Sequence, residues 1–285
     1  MEFTPCSDIR VGIYCVPMEN LINIEKYPLD ALDSERGAAL VESCIVDLDR
    51  AGMFTLKGFL RREVIEQMLP HLREGFAGES FTHAREHNIY FNDDVEGIAS
   101  DHPALKRVKT INHTLCGDQL PDSLRQVYAW PALADFLARV MDKPQLYPMA
   151  DPLADANVMC YYEGEGLNWH FDRSEFTTTL LLQAPDLGGE FQYRQGLRSD
   201  ENPNYEGVAR LLRDEDPDVS RLTLGAGDLN VFKGKNTAHR VTAPQGDRER
   251  MVAVFTYYET PGRMFSDTEN LGFYGRTADQ AKPAG

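Results

Sequence analysis

The sequence predicts an α+β protein, helices first and strands second. Three observations carry this. Two stretches of the N-terminal half repeat apolar residues at helical spacing, and after Pro148 the chain breaks into short β-like runs divided by Gly, Pro and Asp. No internal repeat or low-complexity tract interrupts either half. Taken in order, residues 34–44 read as a short helix and 52–60 (GMFTLKGFL) as a strand-like run. Val64, Ile65, Met68, Leu69 and Leu72 then mark one face of a helix over 61–75. Residues 80–101 are polar and aromatic and read as loop with a short strand. A second helical stretch starts at Pro121, with Asp122 or Ser123 as N-cap and Leu124, Val127, Leu133, Phe136, Leu137 and Val140 as its apolar stripe. Pro131 inside it predicts a kink, or two helices meeting near Trp130.

The strand half runs through 157–162, a Gly-rich turn at 163–166, the segment around His170, then 176–183, 190–193, 221–224, 228–232, 239–242 and 250–258. Such a series suits a sandwich or barrel. Residues 199–220 are charged and partly helical, and are expected to form a flap outside the core. One domain is expected: 1–150 as mainly helical support and substrate loops, 151–260 as the strand core with its insertion, and 261–285 as a tail.

Hydrophobic residues make up 42% and charged residues 26%, as in soluble globular chains with a sizeable core. The net charge of −16 gives a surface that repels phosphate backbones and anionic lipid, so neither nucleic acid nor membrane is expected as a partner. No apolar run approaches a membrane span, and the N-terminus lacks a basic segment leading into an apolar one. A cytoplasmic location is therefore expected. The five cysteines (Cys6, Cys15, Cys44, Cys116, Cys160) are odd in number and widely spaced, which suits reduced thiols. Oligomeric state is not legible.

Chemistry concentrates around His170-Phe-Asp172. Residues i and i+2 of a strand share a face, so this imidazole and carboxylate can enter one cavity. Alone the pair is weak, since 7 His and 24 Asp supply roughly half an HxD by chance. His239 offers the second imidazole of a 2-His-1-carboxylate set, an arrangement that leaves open positions and suits non-haem Fe(II). Arg248 and Arg250 follow, and a guanidinium there can fork onto a carboxylate. His83 and His87 are spaced for a helical metal pair, but their surroundings are not helical. Ser174 lacks any nucleophile-elbow signature, which argues against a serine hydrolase.

With these residues in place, 157–258 resembles the Fe(II)/2-oxoglutarate-dependent dioxygenases, in particular their prolyl-4-hydroxylase-like branch. The matching pieces are His170-Phe-Asp172, Gly188-Gly-Glu-Phe191, the run 225–232 (GAGDLNVF), His239-Arg-Val-Thr, Arg248 and Arg250, and Tyr161 after Cys160. The resemblance implies a double-stranded β-helix (jelly roll) core, Fe(II) held by His170, Asp172 and His239, and 2-oxoglutarate held by Arg250 or Arg248 with Tyr161 and Thr179. It also implies O2 as oxidant, with decarboxylation of 2-oxoglutarate to succinate. Related halogenases carry Gly or Ala at the carboxylate position, so Asp172 points to hydroxylation. The implied substrate is a small polar, amino-acid-like or natural-product molecule, met by Asn92, Asp94, Trp169, Arg173 and Asn236; the tail from Tyr258 resembles a subgroup with amino-acid hydroxylases and halogenases. A peptidyl or prolyl hydroxylase, and a non-enzymatic cupin-like binder lacking the arginine, remain the alternatives.

Overall fold

The computed structural model describes residues 16–282. Helix α1 (Glu35–Ala51) starts where the Ser34 side chain accepts from the Gly37 N–H (3.1 Å) and stops at Gly52, whose φ of 69° favours glycine. It outruns the expected 34–44 because Leu48 continues its buried face. Strand β1 (Met53–Leu56) leads into α2 (Arg62–Gly78), which buries Val64, Ile65, Met68, Leu72 and Phe76. Then follow β2 (Phe81–His87) and β3 (Val108–Leu115), and two helices, α3 (Asp122–Tyr128) and α4 (Pro131–Val140). Pro131 opens α4 at its first turn, where a missing N–H costs nothing, so the two-helix reading holds. Neither Asp122 nor Ser123 caps α3: the N-cap position is Pro121 and the acid lies in the first turn.

The remaining core strands are β4 (Ala156–Tyr161), β5 (Leu167–His170), β6 (Thr177–Gln183), β7 (Phe191–Arg194), β8 (Ser220–Leu222), β9 (Leu229–Phe232), β10 (Ala238–Val241) and β11 (Arg250–Phe255). They form two facing antiparallel sheets, a jelly roll. The larger runs β1-β9-β6-β11-β4-β3-β2 and the smaller β8-β7-β10-β5. Alternation along each strand sorts side chains between two environments. Leu180 and Leu182, Val158 and Cys160, and Met251 and Ala253 pack against the helices, whereas Tyr161, Leu181 and Val252 face the smaller sheet.

Two expectations need correction. The segment before residue 150 is more than helical support, because β1, β2 and β3 complete the larger sheet. The 199–220 insertion is also not a loose flap. Its helix α5 (Tyr205–Leu212) buries Val208, Ala209, Leu211 and Leu212 against Ile89, Trp169, Phe171 and Ala238, a second core behind the smaller sheet. Of the cysteines, Cys44, Cys116 and Cys160 are buried free thiols, and burial pushes Cys116 up to about 11. Cys6 and Cys15 lie outside the described residues. Among the described residues no helix is long and apolar enough to cross a membrane.

One carboxylate sets a pH dependence of stability. Burial pushes Asp155 up to about 6 from an ordinary 3.8, although its Oδ1 accepts from the Ala156 N–H (2.6 Å). The folded state thus binds a proton that the unfolded state has released between about pH 4 and 6. Stability falls as pH rises through that window, by roughly 3 kcal/mol for a shift of about two units. Asp155→Asn keeps an acceptor for Ala156 and is expected to flatten this fall. Urea unfolding from pH 4 to 8 measures it; a parallel pH dependence in the variant would count against Asp155.

Candidate metal centre

Strands β5 and β10 are adjacent in the smaller sheet, and their register pairs His239 with His170, whose ring centroids stand 4.0 Å apart. Both side chains are buried. The Nδ1 of His170 lies 2.8 Å from the Asn168 carbonyl and that of His239 2.9 Å from the Thr237 carbonyl. A carbonyl only accepts, so Nδ1–H donates on each ring and Nε2 is the nitrogen turned toward Asp172, where it carries a shared proton or is open to a metal. Asp172 Oδ1 is 3.4 Å from His170 Nε2, and Oδ2 is 3.4 Å from His239 Nε2. Among the described residues this is the one His/Cys/Asp/Glu group whose ligand atoms all lie within 4.8 Å of one another.

The expected strand geometry holds for His170 but not for Asp172. Strand β5 ends at His170, and the next backbone bonds leave the ladder: Phe171 N–H donates to Ile89 and Asp172 N–H to Gly234. The carboxylate meets the imidazoles from beyond the strand end.

Charges are set by these neighbours. Burial, with the added charge of His239, pulls His170 below the ordinary imidazole range. For Asp172, burial would raise the carboxyl, but His239 and the hydrogen bonds from both rings hold it well below the carboxylate range. For His239, burial is outweighed by Asp172, which raises it. One anion and two imidazoles with inward Nε2 atoms fit a divalent transition metal, whose arrival would displace the proton His239 shares with Asp172.

The second part of the site lies between the sheets. Arg250 opens β11 opposite Tyr161 of β4 and is only 4% exposed. Its guanidinium sits 5.8 Å from the Tyr161 ring centroid, and its Nη1 is buried without a hydrogen-bond partner among the described residues. A buried cation without a counter-ion is costly unless an anion joins it. Asn230 is fully buried on β9, beside Thr179 of β6 in register, and its amide nitrogen also lacks a partner. These unmet donors, with the Thr179 and Tyr161 hydroxyls, fit a carboxylate-bearing cosubstrate. Arg248 does not share the site: half-exposed before β11 begins, it faces Asp186 at 3.4 Å.

A cleft of about 530 Å³ reaches Asp172 from outside, lined by Arg173, Thr177, Tyr257, Phe265 and Phe273 among others. Of the expected substrate residues, Arg173 is there. Trp169 is not. One residue before His170, it points to the opposite face, packs in the second core and lies under Arg240 (4.7 Å). Asn92 and Asp94 hydrogen-bond each other in an exposed turn away from the cleft lining. Asn236 has a buried, unpartnered Oδ1 but is not part of the cleft lining. Two residues were missed. Phe91, at φ 51°, stacks on His87 (4.2 Å) and turns its edge to His170 (5.7 Å). Arg85 lies over Phe91 at 4.6 Å. Nothing in their spacing marks them.

The model of one family, Halogenase D, matches residues 92–266, more than half of the chain. The chain belongs to the Halogenase D family. The match spans all three members of the His/Asp/His group and Arg250. Among solved structures, this chain is similar to the non-haem α-ketoglutarate-dependent carbocyclase SnoK from nogalamycin biosynthesis (16% identity, TM-score 0.51, covering 76% of this chain and 83% of that one). It is likewise similar to the α-ketoglutarate-dependent epimerase SnoN from the same biosynthesis (18%, 0.50, 78% and 83%). A prolyl-4-hydroxylase from Pseudomonas putida is more distant (16%, 0.46, 76% and 98%). At these identities the likeness is one of fold. No curated protein matches the chain.

Proposed function

We propose that this chain is an Fe(II)- and 2-oxoglutarate-dependent oxygenase that hydroxylates a small, polar, amino-acid-like molecule. The observation that carries the reading is the buried, unpaired Arg250 in the same inter-sheet space as the His170/Asp172/His239 group. His170, Asp172 and His239 would hold the iron, and Arg250 with Tyr161, Thr179 and Asn230 the far carboxylate of 2-oxoglutarate. Bound together, iron, cosubstrate and O2 supply the oxidising equivalent that turns a substrate C–H into C–OH as 2-oxoglutarate becomes succinate and CO2. The protein orients the ligands, keeps the imidazoles neutral toward the metal, and shields the centre with Phe91, Phe191 and Phe232, the last with its centroid 4.8 Å from His239. Asp172 fills the place where a halide would need room, which supports hydroxylation within a family named for halogenation.

The substrate reading rests on the cleft. Arg85 and Arg173 lie close enough that the charge of Arg173 adds to burial in lowering Arg85, and each rests on an aromatic ring (Phe91 and Phe273), neither forming an ion pair among the described residues. In a chain of net charge −16, Arg173 in the cleft lining with Arg85 near it favours an anionic group. Glu175 and Glu259, both tied to Lys143, line the same cleft and suit an amine.

Anaerobic addition of Fe(II) and then 2-oxoglutarate should produce the visible charge-transfer band of the chelate; no band would overturn the reading. Across a panel of free amino acids and their amides, substrate-dependent succinate release should favour the free carboxylate about tenfold or more. Arg85→Leu should remove that preference while leaving the chelate band unchanged. An equal response to acids and amides in the wild type would shift the assignment toward a peptide-like substrate.

A further inference from the structure

Asp172 lies past the end of β5, so the pleat that orients His170 does not orient it. Something else must hold the carboxylate, and two residues besides the histidines touch it. The Thr177 hydroxyl, at the start of β6, donates to Asp172 Oδ2 at 2.5 Å. Gly234 lies directly beneath: its carbonyl accepts the Asp172 N–H at 3.2 Å, and a Cβ added there would stand 2.2 Å from Oδ2 and 2.9 Å from the Asp172 Cβ. Something must shift to relieve such an overlap, and the carboxylate is the nearest group.

We infer that Thr177 and Gly234 are positioning residues that fix the torsion of the Asp172 carboxylate, Thr177 engaging Oδ2 so that Oδ1 is presented to the metal and Gly234 leaving the volume the group occupies. The inference rests on the metal-ligand reading of His170, Asp172 and His239 and deepens it. Hydrogen bonds to ligating groups from outside the ligand set typically govern metal affinity by 10–100-fold. Thr177 suits this work because a hydroxyl can donate to a carboxylate without adding charge. Its own strand position is secured by pairing with Phe232, the ring that flanks His239.

The test uses Co(II) as probe, titrated into the metal-free full chain and followed by calorimetry and by the ligand-field absorption of the bound ion. Thr177→Val keeps the shape and removes the donor; Thr177→Ser keeps the donor. The valine variant is expected to bind Co(II) about 10–100-fold more weakly with a changed absorption envelope, and the serine variant to stay within about threefold of wild type. Gly234→Ala is expected to weaken binding at least as much as Thr177→Val. Thermal unfolding of each metal-free variant separates this from lost folding, and Thr177→Ala carries the same expectation should the valine variant not fold. Wild-type affinity in both Thr177→Val and Gly234→Ala, or an equal loss in Thr177→Ser and Thr177→Val, overturns the inference. Failure of the wild type to bind Co(II) would instead strike the metal reading itself.

Discussion

Arg250→Met should make the metal-free protein more stable and leave it unable to hold 2-oxoglutarate. The guanidinium is buried, its Nη1 has no partner, and burial already pulls its pKa down with only Tyr161 opposing. Keeping a lone charge out of water costs several kcal/mol, so an apolar side chain of similar length should raise unfolding stability by roughly 1–4 kcal/mol. Binding moves the other way. Removing one partner of a buried charge pair costs about 2–5 kcal/mol, which is on the order of 10²–10³-fold in 2-oxoglutarate affinity. Metal affinity should not change. Thermal melts with and without 2-oxoglutarate read both effects, since a hundred times the wild-type Kd should stabilise the wild type by about 2.7 kcal/mol and the variant by less than about 0.5 kcal/mol. Retained 2-oxoglutarate binding in the variant would remove Arg250 from the role. A residue that weakens the empty fold and strengthens the loaded one is the mark of a binding group.

The second large effect is at His239. His239→Ala leaves one imidazole and one carboxylate, and should abolish the Fe(II)–2-oxoglutarate charge-transfer band and lower turnover by at least about 10³-fold, of the size seen when a member of a catalytic unit is deleted. The ring is also packed between Phe191 and Phe232, so its truncation leaves a cavity costing about 1–3 kcal/mol. Unfolding must therefore be followed alongside the band. An unchanged band would show that the iron sits elsewhere.

How much of this was legible depends on which signal each residue leaves. His170, Asp172, His239 and Arg250 stand in short runs whose order and residue types carry chemistry, and the structure gathers the first three and buries the fourth. Strand β3 left no trace, because its buried face is Thr110, Asn112 and Thr114. Polar residues facing inward defeat a search for apolar alternation. They are tolerated because His87 bonds Thr110 (2.8 Å) and Asn112 bonds Thr114 (3.0 Å). Helix α5 was misjudged for the opposite reason, as a charged stretch whose apolar residues collect on one face only after folding. Trp169 was misplaced although its alternation with His170 was already visible. Phe91 and Arg85 come from a segment with no periodicity, and only the tertiary fold brings them to the imidazoles.

The closure of the larger sheet by β1 has a consequence for how the chain reaches its native state. Thr55 bonds Asn230 across a separation of 175 residues, and Met53 to Leu56 pair with Phe232 to Leu229. Such distant pairing makes folding slow, because loop closure must precede the contacts that reward it. During synthesis β1 waits, exposed, for most of the sheet to emerge. A fragment starting near residue 151 would lack that partner and present β9 as a bare edge beside the Thr177-bearing strand. The metal centre waits for late chain as well, since His239 stands on β10 (Ala238–Val241).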